Sequence, residues 1–353
     1  MSRPPENPAT APQPLRWIAT LLAIPMASAC QLAVRRVPKP EPVVTLRVVE
    51  TRRVSDRVAT SNAAWSPDSR SVAFGTADGV VVVGLDGAER RILPAPHATW
   101  VDWSGSGRWV AVVSGGSLWL VDLVRGGARR VDLPGVVRSF RWSPAGDRGA
   151  AVVDSRGVWL WLVSAEGGLR RRLFGPAPSL YDLGWFPDGL YVFARAEDPA
   201  GRTVALWRVR VAGPDRRQLP ALFPAVLQAQ LSPHGRTVAY LVAEEEGSAL
   251  AVQQVGSART VTVARGGRLW GLSWSPQGDK LGYAEVDGGE RAAVWIVDAD
   301  GPSRLQVADY ALEFPDPDAL VGTAWSPDGR AVAFGTGFAQ RAGPVWVARL
   351  ERR

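Results

Sequence analysis

Hydrophobic and polar positions follow one another along this chain in a block that occurs seven times. The first copy reads Trp65-Ser66-Pro67-Asp68-Ser69-Arg70-Ser71-Val72-Ala73-Phe74: an aromatic residue, a polar turn, then a short apolar run. Later copies begin at Trp103, Trp142, Trp185, Leu231, Trp274 and Trp325. The intervals are about 38, 39, 43, 46, 43 and 51 residues, the period of a propeller blade. Proline suits the second position of a tight turn and Asp or Gly the positions after it. The flanking β-branched and aromatic residues favour strand. A third apolar run follows in each copy, as from Val80 to Leu85 and from Leu118 to Leu123. Several end in a Gly-bearing turn, such as Asp86-Gly87 or Gly126-Gly127, before an Arg-rich fourth run. Four antiparallel strands per repeat make one blade, so the pattern predicts an all-β chain, a seven-bladed β-propeller over residues 43–353.

The seventh copy stops at its third run, Val345 to Leu350. A strand near Val44 to Val49 is expected to complete that blade and close the ring, removing the exposed end-blade edges. Turns between strands one and two, and three and four, are short and regular. Loops between strands two and three vary, as do the connections into each blade, and antiparallel connectivity puts both variable sets on one face. Binding residues concentrate on loops held by a rigid scaffold, so that face is expected to carry function.

The longest connection, Ala308 to Leu320, holds Tyr310 and Phe314; Trp100 and Trp270 read as further aromatics on inter-blade connections. Along each first strand, alternation separates an apolar set (Val101, Phe140, Leu183, Leu272) from a polar one. The polar set is Asn62, Asp102, Arg141, Asp182, Gln228, Gln230 and Ser273, expected to line or approach the central channel. Small and polar residues also simply fit wet, crowded space at an axis. From these two groups come the binding candidates: Trp100, Asp102, Arg141, Asp182, Gln228, Gln230, Trp270, Tyr310 and Phe314.

The pattern Trp-Ser-Pro-Asp-Gly-Arg, two residues, then Ala-Phe, seen from Trp325 to Phe334, resembles the TolB-type or WD-like propeller repeat. The chain departs from it at Gly105, Ala145, Phe186 and His234. TolB-like proteins bind peptide segments of other envelope proteins, so the resemblance implies a protein-binding or assembly scaffold; it also brings in six blades as the alternative count. No separate amino-terminal α/β domain, which TolB has, is visible.

Sixteen tryptophans sharpen the core reading. One series precedes the turn; a second, Trp119, Trp159, Trp207, Trp295 and Trp346, lies in the third strands. A buried aromatic removes roughly 150–250 Å² from water, so both series read as inter-blade core, with carbohydrate stacking as the alternative. The net charge of +7 rests almost entirely on arginine. Arg90, Arg91, Arg129, Arg130, Arg170 to Arg172, Arg216, Arg217 and Arg304 fall on the fourth strands, so a basic belt should circle the disc. It suits anionic lipid or an acidic wall polymer, or protects exposed edges.

Residues 1–30 read as a signal peptide. An apolar run from Trp17 to Ala29 is short for a membrane span and fits an h-region. It ends in Ala27-Ser28-Ala29-Cys30, which resembles the lipobox of bacterial lipoproteins; Cys30, the only cysteine, would carry the lipid. Ordinary cleavage after the small residues, or an uncleaved anchor, is the alternative. Residues 31–42 are a Pro-rich spacer. An exported, membrane-anchored monomer is thus expected, and nucleic acid is not an expected partner.

Catalytic chemistry is sparse. The two histidines, His97 and His234, fall in a connection and a Pro-x-Gly turn. No His/Cys cluster has metal-ligand spacing, and no nucleophile elbow, P-loop or dinucleotide fingerprint occurs. Asp298-Ala299-Asp300-Gly301 suits a hairpin or calcium. No cofactor or metal is expected, and a non-catalytic binding module is the first reading. A glycan- or wall-polymer-binding lectin, or a hydrolase or lyase accessory using Asp102, Arg141 and Asp182, is the alternative.

Overall fold

A computed structural model describes residues 46–197, 204–219, 226–257, 259–287, 291–301, 303–311, 321–336 and 343–352. Cys30 and the rest of 1–45 lie outside these, as does Phe314. The described residues form twenty-eight strands in seven four-stranded antiparallel sheets. Blades 1 to 6 occupy residues 64–93, 98–131, 136–177, 180–219, 226–266 and 268–311. Blade 7 combines residues 321–352 with the amino-terminal strand Leu46–Arg53, which pairs antiparallel with Val345–Arg352. Innermost strands pack side by side in sequence order and the seventh returns to the first. The count is therefore seven, and the closing strand is where the missing fourth strand required it.

The repeat's turn explains its own sequence. In blade 1, Ser66 is buried; its hydroxyl bonds Asp68 at 2.5 Å and accepts the Ser71 N–H at 2.9 Å. Asp68 accepts the Arg70 N–H at 3.1 Å. Blade 7 repeats this with Ser326, Asp328, Arg330 and Ala331. The last turn position has positive φ, 72° at Gly329 and 60° at Ser69. In blade 5, His234 does the aspartate's work: its Nδ1 lies 3.0 Å from the Ser232 hydroxyl and accepts the Arg236 N–H at 3.2 Å. The departure from the repeat at His234 is thus conservative in role.

Apolar clusters fill the spaces between neighbouring blades. One joins Phe140, Trp142 and Val153 of blade 3 to Trp109, Val113 and Leu118 of blade 2. The pre-turn tryptophans Trp65, Trp142, Trp274 and Trp325 are buried in such layers. The third-strand series is only half-buried. Trp119, Trp207, Trp295 and Trp346 pack against the clusters from outside, and arginines cover two of the half-buried rings: Arg172 lies 4.4 Å from the Trp159 centroid and Arg304 4.3 Å from that of Trp295. These rings are the flank of the core rather than its centre.

Candidate functional site

A cavity of about 980 Å³ runs along the axis, lined by residues from all seven blades. Its wall is built from the innermost strands, whose inner edges present backbone groups with no further strand to pair. Neighbouring blades supply the partners. Asn62 donates to the Val101 carbonyl at 2.8 Å and accepts the Val101 N–H at 3.0 Å. Asp102 accepts the Trp142 N–H at 2.8 Å. Asp182 accepts the Ala229 N–H at 2.9 Å, and Gln228 that of Leu272 at 3.0 Å. An unpaired buried backbone group is costly, which explains why one side of each first strand is polar.

The pre-turn indoles add a second tie. Trp65, Trp142, Trp185 and Trp274 donate to the carbonyls of Ala324, Asp102, Arg141 and Gln230 in the preceding blade, at 2.9, 3.2, 3.0 and 3.1 Å. Trp103 instead reaches Gly107 in its own turn, at 3.2 Å. Blade 5 has Leu231 and no indole. There, Arg195 binds Asp182 through Nε and donates to the Val226 and Leu227 carbonyls, both at 2.8 Å. Arg195 comes from the second strand of blade 4, and no repeat signal in the sequence marks it.

Two carboxylate–arginine pairs therefore stand in the wall. Arg141 meets Asp102 at 2.8 Å and stays one-third exposed to the channel; Arg195 is buried and Asp182 nearly so. Burial pushes the Asp102 carboxyl above its ordinary value, against the pull of Arg141 and the Trp142 N–H. The same holds for Asp182 against Arg195. Asp182 takes φ of 45°, the left-handed region rare for aspartate.

β-Bulges interrupt the innermost strands of blades 2 to 6 near their starts. Those starts lie on the variable-loop face: the Val137 N–H bonds the Gly116 carbonyl of the preceding blade's strand-two-to-three turn at 2.8 Å. Bulges re-aim side chains at the rims of rings. Trp100, Tyr181 and Trp270 line the cavity at this end. Trp100 and Trp270 sit on the innermost strands Ala98–Trp103 and Arg268–Trp274, not on connections as the sequence suggested. Arg141 lies 4.7 Å from the Trp100 centroid, and Arg195 4.6 Å from that of Tyr181.

Arg141, Asp182, Gln228, Gln230, Trp100 and Trp270 thus come together around the channel, with Asp102 behind Arg141. Tyr310 does not join them. It lies on the outer strand Arg304–Ala311 of blade 6, not in a connection; its ring packs 5.8 Å from Phe334 and burial pushes its phenol up. Tyr181, 44% exposed, was missed because a lone tyrosine carries no repeat signal. No group of three metal-ligating side chains occurs among the described residues. Asp298 is bonded to Lys280 at 2.6 Å, so the hairpin reading of its segment suits the geometry better than calcium.

The belt arginines lie on the outer strands Glu89–Leu93, Ala128–Val131, Arg170–Ala177, Arg216–Leu219 and Arg304–Ala311. Some tie blades together: Arg129 donates to the Ala165 carbonyl and Arg171 to that of Val211, each on the next blade.

No family model matches the sequence and no curated protein matches it. Solved structures do. TolB from Acinetobacter baumannii superposes with a TM-score of 0.53 at 16% identity, over 75% of this chain and 66% of that one. An oligogalacturonate lyase in complex with manganese gives 0.69 at 11% identity, over 87% and 96%. Kuenenia stuttgartiensis hydrazine synthase gives 0.62 at 13%, over 85% and 97%. This chain spans only 66% of the length of the TolB structure. At such identities the likeness is one of fold, and that fold is the one the TolB-type repeats imply: a β-propeller.

Proposed function

We propose that this protein is a non-catalytic binding propeller, exported and lipid-anchored through Cys30, that holds a peptide segment of an envelope protein at the variable-loop mouth of its channel. The observation that carries the reading is the division of labour in the wall. The acids Asp102 and Asp182 are each held between an arginine and a backbone N–H of the next blade. What faces the mouth is aromatic: Trp100 and Tyr181, each backed by a guanidinium. Aromatic side chains held rigid by their surroundings are the usual anchors of protein recognition. TolB's own likeness here is of fold, so the protein partner rests on analogy with its repeat.

The test is capture in cells of the producing bacterium, with a photoreactive phenylalanine analogue at position 181. One discrete envelope protein, lost when Trp100→Ala is added, is the expected result. Capture of glycan, or of nothing above background, would overturn the protein-binding reading and favour the lectin alternative. Position 310 is unsuited, because that ring is packed beneath blade 7.

A further inference from the structure

The face opposite the variable loops carries the two regular turns of every blade. They lie side by side: the residue after each third strand donates its N–H to a carbonyl of the first turn. Leu123 donates to Arg108, Ala165 to Asp147 and Val211 to Leu190, at 2.8, 2.8 and 2.9 Å. Equivalent positions on successive blades of a ring share one plane, so this face is level.

The outer strands begin beside these turns, and in blades 1 to 4 each carries arginines within its first three residues. Arg90, Arg91, Arg130, Arg171, Arg216 and Arg217 lie there, all exposed. Among the described residues none of the six is within ion-pair distance of a carboxylate. Arg259 and Arg304, beside the corresponding turns of blades 5 and 6, are likewise exposed and outside ion-pair distance of a carboxylate among the described residues, whereas Arg47 on blade 7 pairs with Glu351 at 2.8 Å. The belt expected from the sequence is thus densest over blades 1 to 4, which hold six such arginines. Several carboxylates on the same face are occupied: Asp68 by Ser66, Asp122 by Arg108, Asp147 by Ser143, Asp188 by the Leu190 N–H.

A second observation falls on the same face and the same blades. Three of the most exposed apolar side chains of the molecule stand in its turns: Val124 in blade 2 at 75% exposure, Leu169 in blade 3 at 43% and Leu190 in blade 4 at 57%. We propose that this face docks on an anionic lipid bilayer, with the arginines of blades 1 to 4 at headgroup level and Val124, Leu169 and Leu190 reaching the acyl boundary. Charge alone would suit a soluble polyanion equally well. A level surface that sets bare apolar side chains among unpaired cations suits the membrane interface, where both find partners. This face lies opposite the one proposed to hold a peptide, and either proposal can fail without the other.

The test uses the full chain with Cys30→Ser, labelled with an environment-sensitive fluorophore through Leu169→Cys. With phosphatidylglycerol vesicles its emission should shift to the blue, and the shift should vanish with phosphatidylcholine vesicles or in high salt. The same label through Val136→Cys, at the channel mouth, should not shift. Reversing Arg90, Arg91, Arg130 and Arg217 to Glu should weaken the label's response to anionic vesicles at least about tenfold while thermal unfolding stays cooperative. Binding of vesicles with the Leu169 label unshifted would overturn the proposal, because another segment would then be holding the protein. Binding of soluble polyphosphate but not of vesicles, lost on the same charge reversal, would also overturn it and assign these arginines to a free polyanion.

Discussion

The seam between blades 2 and 3 and the seam between blades 4 and 5 hold the ring by different chemistry. At the first, the Trp142 indole donates across to Asp102 and the Asp102 carboxylate accepts the Trp142 backbone N–H. One repeat residue and one aspartate close the seam. At the second, Leu231 stands where the indole should be. Arg195 takes over with three bonds, one to Asp182 and two to blade 5 carbonyls. The difference shows that the pre-turn tryptophan is a bond donor as well as a packing residue. When the repeat loses it, the inner edge of the next strand still needs partners, and a buried ion pair provides them.

Breaking the second seam should have the largest effect. Arg195→Met leaves the Asp182 carboxylate buried without its partner, and the expected loss is about 3–5 kcal/mol in urea unfolding. A loss near zero would show that the pair is incidental to the ring. Leu231→Trp in that background tests whether the two chemistries are interchangeable. Gly184, the residue before the pre-turn tryptophan of blade 4, offers the carbonyl equivalent to those the other indoles reach, so a new indole should recover about 1 kcal/mol.

The first seam should be softer. Trp142→Phe keeps an aromatic side chain at the site and removes one hydrogen bond, which adds about 1 kcal/mol to the cost of the lost volume. Trp325→Phe is its control, because the Trp325 indole N–H has no hydrogen-bond partner among the described residues. Equal losses at both sites would mean that packing volume, not the bond, is being measured.

The smallest effect separates the inner seams from the turn face. Asp122 is held well below the usual carboxylate range, first by the Arg108 hydrogen bond and then by the Arg125 and Val124 N–H groups. A carboxyl depressed in the folded state stabilises the fold above its unfolded value, near about pH 3.9, and that contribution fades as pH falls below it. Asp122→Asn should therefore lower the melting temperature at neutral pH and narrow its gap to the parent protein as the medium is made more acid. A gap that stays constant with pH would assign the residue's role to shape alone.

Position in the repeat made much of this molecule legible. A Ser-Pro-Asp-Gly turn satisfies its own backbone through bonds between residues at most five apart, as Ser326, Asp328 and Ala331 show. Local chemistry of that kind can be read from the sequence, and seven copies in phase determine seven blades. The unfinished seventh copy likewise called for a strand near Val44 to Val49, and the closing strand runs from Leu46 to Arg53. The polar side of each first strand was visible too, though not its purpose.

What only the tertiary structure decided depends on contacts between residues far apart in the chain. Asp182 and Arg195 lie on adjacent strands of one blade, yet their partners Val226, Leu227 and Ala229 belong to the next. Tyr181 and Trp100 become one aromatic mouth only when the ring brings their blades round the same axis. The fourth-strand arginines come to stand among the bare side chains of Val124, Leu169 and Leu190 only because the fold sets the turns of neighbouring blades on one face. A repeat specifies each blade from within; the seams, the channel mouth and the charge of the rim arise between blades, where no single copy holds the information.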